Sequence, residues 1–151
     1  MEQTRKQLKI YSVIVLALAG LSLLNILFGL FFSEFSEVLK NAAIPEGAPD
    51  NIFLITQIFV LVISFLLLLP QAYIGIKGLK MAKTPNSSKG HIVWGIILIA
   101  FTAGGLISPF LALIQGNGEA FGNIAELCSI AVDVFILFEY VKYAMAVRNE
   151  I

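Results

Sequence analysis

A chain of 151 residues with 58% hydrophobic residues, 13% charged residues and no net charge lacks the polar surface that a water-soluble domain needs. Ordinary domains run at about 45–50% apolar and about 25% charged residues. Zero net charge removes any bulk electrostatic case for nucleic acid, and one cysteine and one histidine exclude a disulfide framework, a CxxC pair and a metal site built on either residue type.

The fold class read from this composition is an all-α membrane protein, a single four-transmembrane-helix bundle. A bilayer core takes about 20 apolar residues at about 1.5 Å rise each. Span one is predicted over residues 8–32. It is too long, and too polar at its far end, for a cleavable signal peptide, and it lacks a small-x-small site at the right distance, so it is expected to stay in the mature chain. Residues 33–50 follow as the one sizeable external loop. There Phe35, Val38, Leu39 and Ala42 recur at helical spacing with Glu34, Glu37 and Lys40 between them, the pattern of an extension of helix one or of a short interfacial helix.

Span two is predicted over 51–76, with Asp50 as its cap after Pro49. The loop 77–90 is basic and holds Pro85, Asn86, Ser87 and Ser88, which reads as a solvated turn against anionic headgroups. Span three covers 91–114, with Ser87 or Ser88 as its cap. Span four covers 123–147, where Asn123 and Glu126 have the spacing of a capping box. Pro70 and Pro109 each remove a backbone donor and should bend their helices.

Orientation follows from lysine and arginine. Arg5, Lys6, Lys9, Lys77, Lys80, Lys83, Lys89, Lys142 and Arg148 fall at one face, nine of the ten basic residues, and Lys40 alone falls at the other. Basic short loops stay in the cytoplasm. The expectation is therefore a multi-pass protein of the plasma (cytoplasmic) membrane with both termini inside. Tyr11, Trp94, Tyr140 and Tyr143 toward the cytoplasm, and Phe31 and Phe32 toward the outside, read as interfacial aromatics.

Two groups of residues stand out within the spans. Ala100, Gly104, Ser108 and Ala112 repeat at strict four-residue spacing on span three. Lipid tails give helices no hydrophobic reason to associate, so a row of small residues marks a helix-contact face, with this chain or with a second subunit. Gly20, Gly75 and Gly78 are weaker versions of the same signal. Cys128, in an apolar stretch, reads as a small packing residue.

Asp133 is the second. It falls roughly 15 Å along span four, near the bilayer midplane. An aspartate there costs about 2.5–3.5 kcal/mol on insertion scales, and no lysine or arginine shares its depth. Its carboxyl must be protonated, meet water in a cavity, or find a cation on another chain. Ser22, Ser64 and Thr102 fall at similar depth in the other spans, with Asn25 and Gln57 nearer the outside. Glu126 is explained by its cap position, and Glu139 should lie near the cytoplasmic edge, paired with Lys142 at i+3.

No motif points to a reaction. Membrane proteases need HExxH or an intramembrane serine with histidine. Four-helix thiol oxidases need cysteine pairs. Four-span glutathione-using enzymes rely on face arginines, of which only Arg5 and Arg148 exist. Small drug–proton antiporters carry a glutamate in helix one, where this chain has Asn25 and no acid. The chain is thus expected to be no enzyme and to need no cofactor or metal. Two readings remain. The first is an accessory or assembly subunit that packs against a protein partner among the other membrane chains; a homo-oligomer suits the second. The second is a small oligomeric transporter or channel with Asp133 as a proton or cation site.

Overall fold

The computed structural model describes residues 2–31, 50–86, 88–116 and 120–150. The expected external loop at 33–49 lies outside the described residues, as do the side chains of Phe31 and Gln57. The architecture is all-helical. In chain order the helices are α1 (Glu2–Phe31), α2 (Asp50–Lys83), α3 (Gly90–Gly104), α4 (Ile107–Gln115) and α5 (Ala120–Asn149).

Three stretches are long and apolar enough to cross a membrane: Glu2–Phe28, Leu61–Lys83 and Gly90–Gln115. The last joins α3 and α4, which are one hydrophobic segment broken by a turn. The break has a local cause. Pro109 has no N–H to offer the carbonyl of Gly105, and its ring crowds that carbonyl. The chain answers with tight bonds just before it, from Gly105 N–H to Thr102 O at 3.0 Å and from Leu106 N–H to Ala103 O at 3.1 Å. The bend expected from Pro109 is thus a full interruption. α2 instead runs through Pro70 as one helix of 34 residues. The expected fourth span falls in α5, which carries Glu126, Asp133, Glu139 and Lys142 along its 30 residues.

Two of the expected caps are corrected. The residue preceding α3 is Lys89, which makes no side-chain cap bond. Ser88 gives its backbone N–H to Asn86 Oδ1 at 3.0 Å instead. α5 starts at Ala120, so Asn123 and Glu126 lie inside it and not at its start. At the end of α4, Gly116 takes φ 67° and returns its N–H to the last carbonyls. A left-handed residue at this position is the usual glycine stop.

The chain divides into two compact units, residues 1–16 with 70–151, and residues 17–69. In the first, one stripe of each helix is buried. Leu8, Ser12 and Val15 come from α1, Ile74, Gly78 and Met81 from α2, Ile92, Gly95 and Leu98 from α3, and Leu137, Tyr140, Val141, Ala144 and Val147 from α5. Apart from the adjacent pair Tyr140 and Val141, each set steps by three or four residues, the spacing of a single helix face. α3 and α4 both pack along α5. The opposite faces carry large exposed apolar side chains, among them Val93, Trp94, Ile96, Phe101, Phe135 and Phe138. Water would not tolerate such a surface, and hydrocarbon does not oppose it.

In the second unit, the later part of α1 and the earlier part of α2 expose Leu21, Leu24, Phe28, Ile55, Phe59 and Leu66.

Candidate functional site

The first unit is tied together around Tyr140. Its hydroxyl donates to the backbone carbonyl of Ile74 at 2.7 Å. The ring reaches that carbonyl because position 78 has no side chain. A Cβ added at Gly78 would lie 2.5 Å from Tyr140 Cε2 and 2.9 Å from its Oη, and would collide with Ser12 Oγ. Ser12 is fixed in turn by donating to Leu8 O at 2.7 Å. At Gly75 an added Cβ would meet Leu16 Cγ at 2.5 Å, and at Gly95 it would meet Val141 Cγ2 at 2.7 Å. Three glycines therefore set the close approach of α2 to α1 and α5, and of α3 to α5.

His91 completes this cluster. It is 1% exposed, and its Nε2 lies 3.1 Å from Met81 Sδ. Its ring stands edge-on to Tyr140 with centroids 6.3 Å apart. Its Nδ1 is buried and has no hydrogen-bond partner among the described residues. His91 lines a cleft of about 350 Å³ together with Lys77, Lys80, Asn86 and Ser88.

Nearby contacts gather the chain ends. Arg5 Nε and Glu150 Oε2 form an ion pair at 3.6 Å. Tyr11 and Tyr143 stack with centroids 5.6 Å apart. Lys142 Nζ holds both oxygens of Glu139, at 2.9 and 3.1 Å. That i+3 pair is the one expected, with Glu139 itself buried. Tyr140, expected among the interfacial aromatics, is a core residue at 0% exposure, whereas Trp94 is exposed.

The residues singled out by membrane depth are distributed as follows. Asp133 lies half-buried, midway along α5, and makes no hydrogen bond or ion pair among the described residues. Thr102 is half-buried near the end of α3, in the same unit. Ser22, Asn25 and Ser64 belong to the unit 17–69. There Ser22 and Asn25, one turn apart on α1, share a shallow hollow of about 480 Å³ with Leu21, Leu24 and Phe28. Ser64 is half-buried. Among the described residues no group of three or more acidic, histidine or cysteine side chains could hold a metal ion.

The small-residue row does not form the seam inside its unit. Ala100, Gly104 and Ser108 are exposed and Ala112 is half-buried. A Cβ added at Gly104 would meet nothing within 4 Å, whereas one at Gly105 would meet Thr102 O at 3.1 Å and Ile130 Cδ1 of α5 at 3.6 Å. The reason is geometric. At 3.6 residues per turn, a strict four-residue row drifts about 40° at each step. A seam between two helices alternates steps of three and four. The inward residues His91, Gly95 and Leu98 step by four and three. Cys128, expected to pack, is exposed. No family model matches the chain, and no curated protein and no solved structure matches it.

Proposed function

We propose that this chain is a non-enzymatic integral membrane protein of four spans that serves as an accessory or assembly subunit, packing against another membrane chain through the outer face of α3 and α4. The observation that carries this reading is the exposure of Ala100, Gly104 and Ser108 on one side of that segment, with open space beside Gly104. Small residues turned to hydrocarbon give it less contact than leucine or phenylalanine would. Turned to a second helix, they allow the close backbone approach on which association in lipid depends.

The proposed topology places both termini and the loop 84–89 in the cytoplasm, in the plasma membrane. Nine of ten basic residues support it. So do the contacts that gather Arg5 with Glu150 and Met81 with His91 within one unit. Asp133 fits the same reading, since a half-buried carboxyl that the described residues leave unpaired suits a basic or hydrogen-bonding residue on a partner. That carboxyl is also what favours the second reading, an oligomeric proton or cation carrier.

The test is purification from native membranes at the natural expression level. A distinct membrane chain recovered at fixed ratio, and lost when Gly104 and Ser108 are both replaced by leucine, is the expected result. A clean homo-oligomer would favour the carrier. A monomer without partners would contradict both readings.

A further inference from the structure

We infer that the cleft between the end of α2 and the start of α3 is a binding site for a phosphate group that carries or adjoins a hydroxyl, either hydrogenphosphate or the glycerol-phosphate headgroup of an anionic lipid. Its lining is Lys77, Lys80, Asn86, Ser88 and His91, around a volume of about 350 Å³. This rests on a different part of the chain from the subunit surface and stands or falls without it.

The argument begins with His91. Met81 Sδ has no proton, so the 3.1 Å contact is a donation from His91 Nε2–H to the thioether. In the neutral ring this makes Nδ1 the lone-pair nitrogen. Nδ1 is buried without a partner among the described residues, in a side chain that is 1% exposed. Buried polar atoms are nearly always hydrogen-bonded, and one that lacks a protein partner calls for another. The partner that a lone-pair nitrogen needs is a donor, which a hydroxyl supplies.

The rest of the cleft is built for an anion. Lys77 and Lys80 lie a helical turn apart on α2, both exposed and both lining it. Across from them α3 begins at Gly90, after Lys89, whose side chain makes no cap bond. Ile92 and Val93 both donate to Lys89 O, so the amides before them have no acceptor within the helix. Those amides and the helix dipole favour negative charge at this point. Asn86 and Ser88 shape the rim, with Ser88 N–H bonded to Asn86 Oδ1. No acidic side chain is among the described lining residues. Two ammonium groups, a helix N-terminus and an acceptor nitrogen together match a phosphate oxygen face beside an O–H.

The test uses the full chain in phosphate-free maltoside micelles, labelled with ¹⁵N-histidine. His91 is the sole histidine, so one residue reports. Inorganic phosphate is titrated in one arm, short-chain phosphatidylglycerol in a second and short-chain phosphatidylcholine in a third. The expected result is a saturable shift of the Nδ1 resonance with phosphate, with phosphatidylglycerol, or with both, and none with phosphatidylcholine. Response to the lipid alone assigns the site to a headgroup, and response to phosphate assigns it to the free anion. Replacing Lys77 and Lys80 by glutamine should weaken binding at least about tenfold, since each lost contact is a charge-assisted bond. Replacing Lys9 and Lys83 by glutamine removes the same charge outside the lining and should not. Equal weakening in both double variants, or an Nδ1 resonance that answers to none of the additions, would overturn the inference.

Discussion

Gly78→Ala is the smallest change that should damage this fold measurably. One methyl group is added near the end of α2, where three elements meet. It would sit 2.5 Å from Tyr140 Cε2 and would collide with Ser12 Oγ. Neither neighbour yields cheaply, because Ser12 is tied to Leu8 O and Tyr140 to Ile74 O, each at 2.7 Å. Overpacking of this kind costs about 1–3 kcal/mol. Moving the Tyr140 ring also breaks its bond to Ile74, worth about 1 kcal/mol. Alanine recovers about 1 kcal/mol of helix propensity over glycine. The net expectation is a loss of about 1–3 kcal/mol. Gly104→Ala makes the same chemical change where nothing lies within 4 Å, and it should leave stability unchanged or raised by up to about 1 kcal/mol. Reversible unfolding in mixed micelles, followed by fluorescence of the sole tryptophan, Trp94, measures both. Equal stability of the two variants would refute the packing described around Tyr140.

Three further outcomes follow from the same contacts. Tyr140→Phe keeps the ring and deletes the bond to Ile74 O, so unfolding should show a loss of about 0.5–1.5 kcal/mol; a variant as stable as the parent would show that this bond is not made in the membrane. Gly105→Leu should destabilise the isolated chain more than Gly104→Leu, because position 105 faces α5 and position 104 does not; the reverse order of melting would place the four-residue row at the internal seam after all. Asp133→Asn should change the stability of the isolated chain by no more than about 0.5 kcal/mol, as expected of a site away from buried contacts, while lowering recovery of the partner chain; a large loss in the isolated chain would mean that Asp133 is held by its own protein.

What the sequence made legible was local. Three apolar stretches, the loop between α2 and α3 and the disruption at Pro109 all follow from hydropathy and from one missing N–H. The Glu139–Lys142 pair follows from i+3 spacing. Helix starts were legible less well. Ser88 and Asn123 have the right chemistry for caps, but α3 begins after Lys89 and Asn123 lies inside α5. The seam inside the first unit was less legible, because a strict row of small residues is conspicuous and an alternating stripe is not. Gly75 and Gly78 looked weaker than Gly104 and are the ones in contact. Tyr140 and His91 could not have been found by periodicity. Tyr140 meets a carbonyl 66 residues away, and His91 matters because Met81 takes one of its nitrogens and no described side chain takes the other.

The central claim is a membrane protein whose two termini and basic loop share the cytoplasmic face. It is tested most directly by single cysteines in a Cys128→Ala background, an exposed position that should accept the change. Intact cells would be treated with an impermeant thiol reagent, then opened and treated again. The account predicts that cysteine at Pro45 is labelled from outside and that cysteine at Asn86 is labelled only after the cells are opened. Labelling of the Asn86 site in intact cells would contradict it.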